Sequence, residues 1–201
     1  VTLGVDRFGK KPLYYLLDGQ RLAFGSELKS IAALPDLPRQ LDPAAFDEYL
    51  STGYIRAPRT IYQAIRKLPP GHTLTVTRDG QARLEPYWEP RLAPPAEYRR
   101  ESLPELAEGL REQLREAVRL RMISDVPLGA FLSGGIDSSI VVGLMSQLSS
   151  RPVRTFSIGL AEAEYDESPH ARAVAGHCRT DHSHEVVRPD IVELLPKLVR
   201  H

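Results

Sequence analysis

The sequence predicts an α+β fold with antiparallel strands over residues 1–89 and an α/β fold with a parallel sheet over residues 102–201, joined by a linker at 90–101. Three observations predict it. Short strand-like runs in the first part are punctuated by the turn signals Asp18-Gly19, Pro69-Pro70-Gly71 and Asp79-Gly80, which suit antiparallel pairing. A stretch rich in proline and charge, including Pro94-Pro95, then interrupts the pattern as linkers do. Beyond it, the order strand, helix, strand, helix, strand implies right-handed crossovers and a parallel sheet.

In the first part, Thr2–Val5, Pro12–Leu17, Arg21–Phe24 and Thr73–Thr77 read as strands, and Ser26–Ala33 and Pro43–Leu50 as short helices. After the linker, Ser102 and Glu105 have the spacing of a capping box. Leu106, Leu110, Leu114, Ala117 and Val118 follow at helical spacing, so one amphipathic helix runs to about Met122. Leu128–Leu132 reads as a buried strand, followed by a glycine-serine loop and a helix carrying Ile140, Val141, Leu144, Met145 and Leu148. Val153–Leu160 is the second strand. Asp166 with Pro169 opens a helix that carries Ala171, Val174, Ala175 and Cys178 on one face, and Ser183–Val187 is the third strand.

Composition narrows the function. The 201 residues are 42% hydrophobic and 26% charged, as in an ordinary folded domain, and 26 basic side chains balance 26 acidic ones. No net field favours nucleic acid or an anionic membrane, so a bound anion must be held locally. No apolar run approaches the roughly 20 residues that span a bilayer. The lone Cys178 has no internal disulfide partner, which fits the cytoplasm. A homodimer is the assembly to expect if the chain associates with itself. Val1–Val5 reads as an internal strand rather than a frayed terminus, and the α/β alternation passes through about three strands before His201, few for a doubly wound sheet. Both ends of a longer protein are therefore expected to be missing.

The loop Ser133-Gly134-Gly135-Ile136-Asp137-Ser138-Ser139 lies between a strand and a helix N-terminus, where open α/β sheets bind ligands. Gly134 and Gly135 permit a close backbone approach to phosphate. The helix adds unsatisfied N–H donors, and the serines add hydroxyls. Asp137 would repel phosphate unless Mg²⁺ lay between them, so it predicts a metal. The plain alternative is a flexible turn with Asp137 favoured by the helix dipole. Seven residues of this composition in this setting favour the phosphate site. No lysine follows the glycines, which excludes a P-loop. His177, Cys178, His182 and His184 match no closed zinc spacing. Arg7, Lys10 and Lys11 read as a solvated turn.

Ser124–Leu132 running into Ser133–Ser139 resembles the pyrophosphate loop of glutamine-hydrolysing asparagine synthetases, a branch of the ATP pyrophosphatases. Asp6–Tyr15, Gly25–Lys29 and Lys67–His72 resemble the final part of that family's glutaminase domain. The resemblance implies that residues 1–89 belong to an N-terminal-nucleophile glutaminase and residues 102–201 to the start of the ATP-binding synthetase domain. It also implies ATP and Mg²⁺ as cofactors and small-molecule substrates: ATP, glutamine, and aspartate or another carboxylate. Leu132 and Ser133, Gly134, Gly135, Ile136, Asp137, Ser138 and Ser139 would contact the nucleotide, with Asp137 on the pyrophosphate-bound Mg²⁺. Ile158 would present its backbone to adenine.

The reaction implied is conversion of aspartate to asparagine through β-aspartyl-AMP, with release of AMP and pyrophosphate. The family's glutaminase uses an N-terminal cysteine whose own amine is the base. Its synthetase uses a later lysine and a serine-glycine-glutamate-glycine stretch. None of these is among the 201 residues, so no catalytic residue is expected within them, nor activity from them alone. The alternatives are an amidotransferase acting on another carboxylate, in a polysaccharide or peptide pathway, and a non-catalytic nucleotide-binding module. Asp137 argues against the last, because a decayed site has little need of a buried carboxylate beside phosphate. Arg179 departs from the family where a glycine commonly ends the helix.

Overall fold

The computed structural model describes residues 1–19, 21–92, 94, 101–162, 164, 166–188 and 191–200. The chain divides into two compact units, Val1–Tyr98 and Arg99–His201. The linker expected at 90–101 falls largely on residues 93 and 95–100, outside the described residues.

The first unit contains β1 (Thr2–Gly4), β2 (Tyr14–Leu17), β3 (Leu22–Gly25), α1 (Leu28–Ala32), α2 (Pro43–Thr52), β4 (Arg66–Lys67), β5 (His72–Val76) and β6 (Ala82–Pro86). They form two antiparallel three-stranded sheets, β1-β5-β6 and β3-β2-β4. Asp18 accepts the Arg21 N–H at 3.0 Å to close the β2–β3 hairpin, where Gly19 has a positive φ of 86°. Asp42 caps α2 by accepting the Ala44 and Ala45 N–H groups, Pro43 supplies the first turn, and left-handed Gly53 ends the helix. Leu3, Val5, Leu68 and Leu74 form one core; Leu16, Ile31, Leu37 and Ile65 form the other. Strands β4 and β6 were not foreseen. Just before the turn signal Pro69-Pro70-Gly71, Arg66 and Lys67 pair with β2.

The second unit contains α3 (Leu103–Arg121), β7 (Gly129–Phe131), α4 (Ile136–Leu148), β8 (Arg154–Leu160), α5 (Ser168–Cys178), β9 (Asp181–Val187) and α6 (Ile191–Arg200). The capping box shows in Glu105, which accepts the Ser102 N–H at 2.8 Å and the Ser102 hydroxyl at 2.7 Å. The sheet is parallel in the order β7-β8-β9. Because spatial order follows chain order, two right-handed crossovers step the same way and bring α4 and α5 to the same face. Val118 of α3 joins Leu144, Met145 and Val153 in one core, and Leu132, Val142, Ala171 and Ala175 form the next.

This one-sided arrangement corrects the expectation that Leu128–Leu132 is a buried strand. Leu132 is 1% exposed, yet Phe131 is 79% exposed, because β7 is an edge strand and its alternate side chains point to the other face. Phe156 and Ile158 of β8 share that face at 41% and 58% exposure. Helix α6 follows the third strand and was not foreseen. Among the described residues, no helix is long and apolar enough to cross a membrane.

Candidate functional site

Strand β7 ends at Phe131, and the chain turns through Ser133–Gly135 into α4. Gly134 has φ +85°, and a Cβ built on it would lie 2.5 Å from Ala171 N and 2.5 Å from the His170 carbonyl carbon. Only glycine satisfies both the angle and the approach. Gly135 is the N-cap of α4 and has no capping side chain of its own. The first-turn amides of Ile136, Asp137 and Ser138 therefore have no intrahelical acceptor and are donors for an anion. The serine hydroxyls are engaged inside the loop. Ser133 Oγ accepts the Gly135 N–H at 3.2 Å and meets Ser138 Oγ at 3.0 Å, while Ser139 Oγ donates to the Gly135 carbonyl at 2.7 Å. The anion-binding capacity thus rests first on the backbone.

The structure corrects the buried carboxylate expected at Asp137: the residue is exposed. It sits in the first turn of α4, and among the described residues it has no hydrogen-bond or ion-pair partner. A first-turn position turns a side chain outward unless something covers it, and nothing described does. An exposed, partnerless carboxylate beside backbone donors is a hard oxygen ligand of the kind Mg²⁺ takes together with substrate phosphates.

Beside the loop, at the carboxyl end of β7, lies a crevice of about 300 Å³. It receives four of the nine residues singled out from the sequence: Leu132, Ser133, Ser138 and Ile158. Leu132 offers only its backbone, because its side chain belongs to the core, and its N–H donates to the Phe156 carbonyl at 2.8 Å. Gly134 is turned onto α5. Ile136 and Asp137 are exposed outside the crevice lining, and Ser139 lines a separate groove between α4 and α5. The crevice also takes Phe156, Ser157 and Ser168, which sequence reasoning missed. The signal was present in the strict alternation Thr155-Phe156-Ser157-Ile158, with two hydroxyls on one face of a strand.

Those hydroxyls begin a polar chain under α5. Thr155 Oγ1 meets Thr180 Oγ1 at 2.8 Å and His182 Nδ1 at 2.9 Å, and Ser157 Oγ meets His182 Nε2 at 3.2 Å and His184 Nδ1 at 3.0 Å. Both histidines share one face of β9, as their spacing requires; His182 spends both ring nitrogens on these hydroxyls and His184 its Nδ1. Burial, then the nearby His184 and Arg172, lowers the pKa of His182. Asp166 is held below the usual carboxylate range first by the Ser168 hydroxyl, then by the Ser168 N–H. Cys178 is half-buried beside Val174 in the α4–α5 core. Arg179 ends α5 in the left-handed conformation, φ 52° and ψ 46°.

Two family descriptions match the chain: a glutamine amidotransferase domain over residues 1–88 and asparagine synthase over residues 109–201. The chain is 38% identical over 198 residues to a putative glutamine-hydrolysing asparagine synthetase of Methanocaldococcus jannaschii, covering 96% of this chain and 37% of that one. It is 31% identical to asparagine synthetase 1 of Bacillus subtilis, covering 98% and 30% respectively. An amidase, chry2 of Gibberella zeae, is 36% identical over 145 residues, covering 71% and 21%. The chain thus spans about a third of the length of the two synthetases, 37% and 30%. With both halves matched in this order, the chain belongs to the family of glutamine-hydrolysing asparagine synthetases.

Proposed function

We propose that residues 102–201 hold ATP for an amidotransferase that converts aspartate to asparagine through β-aspartyl-AMP, releasing AMP and pyrophosphate, and that residues 1–89 are part of its N-terminal-nucleophile glutaminase. The observation that carries this reading is the loop itself. Gly134 and Gly135 bring the chain to three first-turn amides and a carboxylate that have no partner among the described residues, next to a crevice that Ser133 and Ser138 line. The amides of Ile136, Asp137 and Ser138 bind the β- and γ-phosphates and hold them in line with the departing bond. Asp137 would hold Mg²⁺, which supplies charge neutralisation to the leaving pyrophosphate when bound. Leu132 anchors the loop's entry in the core, and the Ile158 backbone, at the crevice wall, faces adenine. Aspartate attacks the α-phosphorus through its side-chain carboxylate, the bond to the β-phosphate oxygen breaks, and ammonia from glutamine then displaces AMP. The single free cysteine agrees with a cytoplasmic setting.

Asp137 is exposed and has no partner among the described residues, which argues against a non-catalytic module. A helix-capping carboxylate would be engaged with its own helix, as Asp42 is. Transfer to another carboxylate is the second reading, since the relatives include a protein named as an amidase rather than as an asparagine synthetase. The test is a parallel assay of pyrophosphate release and glutamate formation in the full-length protein and its Asp137→Asn variant. Pyrophosphate release is expected to fall on the order of a hundredfold or more. Stability should change by less than about 1 kcal/mol, and glutamate formation should largely survive. Unchanged pyrophosphate release would remove Asp137 from the mechanism. Release that depends on a carboxylate other than aspartate would select the second reading.

A further inference from the structure

The loop is seated on a neighbour whose own position depends on one carboxylate. Gly134 packs against His170 and Ala171 in the first turn of α5 with no room for a Cβ. That turn begins at Ser168, which is 1% exposed. The Ser168 N–H donates to Asp166 Oδ1 at 3.1 Å, and the Ser168 hydroxyl donates to the same oxygen. The N-cap residue Glu167 makes no side-chain cap, so Asp166 is the acceptor that fixes where the turn starts. The same oxygen reaches the end of β8. A Cβ built on Gly159 would lie 3.0 Å from Asp166 Oδ1, 2.6 Å from Ser168 Oγ and 2.7 Å from His184 Cε1. The end of β8, the middle of β9 and the start of α5 converge there, one helical turn from the seat of Gly134.

We propose that Asp166 is a positioning residue for the phosphate-holding loop, setting the first turn of α5 at the height where His170 and Ala171 receive Gly134. The inference rests on the reading of the loop given under Proposed function. It separates two parts of the nucleotide: the phosphates lie on the loop that α5 supports, and the base lies against β8. Losing Asp166 should therefore weaken phosphate binding selectively, because small displacements of oriented donors are costly.

The experiment measures, by calorimetry on the full-length protein, the Kd of inorganic pyrophosphate with Mg²⁺ and the Kd of AMP. Asp166→Ala is expected to raise the pyrophosphate Kd about tenfold and leave that of AMP within about twofold. Asp166→Asn keeps the acceptor oxygen and should rescue binding to within about twofold of wild type. If Asp166→Ala does not fold, Ser168→Ala carries the same comparison. Equal weakening of both ligands, or of neither, overturns the positioning role while the loop reading stands. A wild-type protein that binds neither ligand overturns both.

Discussion

Gly134 carries two constraints at once, a positive φ of 85° and a backbone approach that leaves no space for a methyl group. Gly134→Ala should therefore cost at least about 2 kcal/mol of stability in the second unit, from the strained angle and the overlap together. It should abolish pyrophosphate binding as well, and denaturant unfolding with calorimetry checks both. Arg179 shows the opposite case. An arginine is held at φ 52° where glycine is at ease, so Arg179→Gly should stabilise by about 0.5–1 kcal/mol, less what glycine adds to unfolded-chain entropy. A rise in melting temperature checks this. His182 makes the same unit sensitive to pH. Its folded pKa lies below the ordinary value of about 6.5. The unfolded chain therefore binds more protons between the two values, and stability is present above about 6.5 and lost as pH falls from there towards the folded pKa. The contribution of Asp166, whose folded pKa lies below its ordinary 3.8, is present above that value and is lost only as pH falls below it. Unfolding curves between pH 8 and pH 5 should show the loss, and His182→Gln should flatten it.

Elements with a strong local signal were legible in the sequence. Helix α3 follows from its capping box and its apolar spacing, and Ser102→Ala should cost about 1 kcal/mol, measured by the shift of the unfolding midpoint. Strands β8 and β9, the start of α5 at Asp166 and the loop before α4 were legible for the same reason. Strand β6 was not. Ala82-Arg83-Leu84-Glu85-Pro86 alternates apolar and charged residues, but it is only five residues long, lacks a β-branched or aromatic residue and ends in proline; β5 supplies its ladder, with Leu84 opposite Leu74. The exposure of β7 was illegible because an apolar run does not say how many faces of its sheet are covered. That depends on the direction of successive crossovers, a property of the fold. At the site, the loop's residue types were readable at once, whereas the walls from Ser157 and Ser168 are brought there by tertiary packing. Burial of Asp137 was inferred from chemistry alone, and the geometry of a first helical turn overruled it.

At the scale of the whole molecule, the cores are laid down within each unit and the charges cancel, 26 against 26, with an isoelectric point near 7.2. The parallel sheet of the second unit carries helices on one face and Phe131, Phe156 and Ile158 on the other. A parallel sheet is ordinarily covered on both sides, so this layer has one oily and one wet surface. The consequence is colloidal. Near neutral pH no long-range repulsion keeps two such layers apart, and dispersed molecules should cluster face to face as concentration rises. Light scattering from the 201-residue chain should be greatest close to pH 7.2, decline on either side, and drop in the Phe131→Ser variant, whose side chain is too exposed for its loss to unsettle the fold.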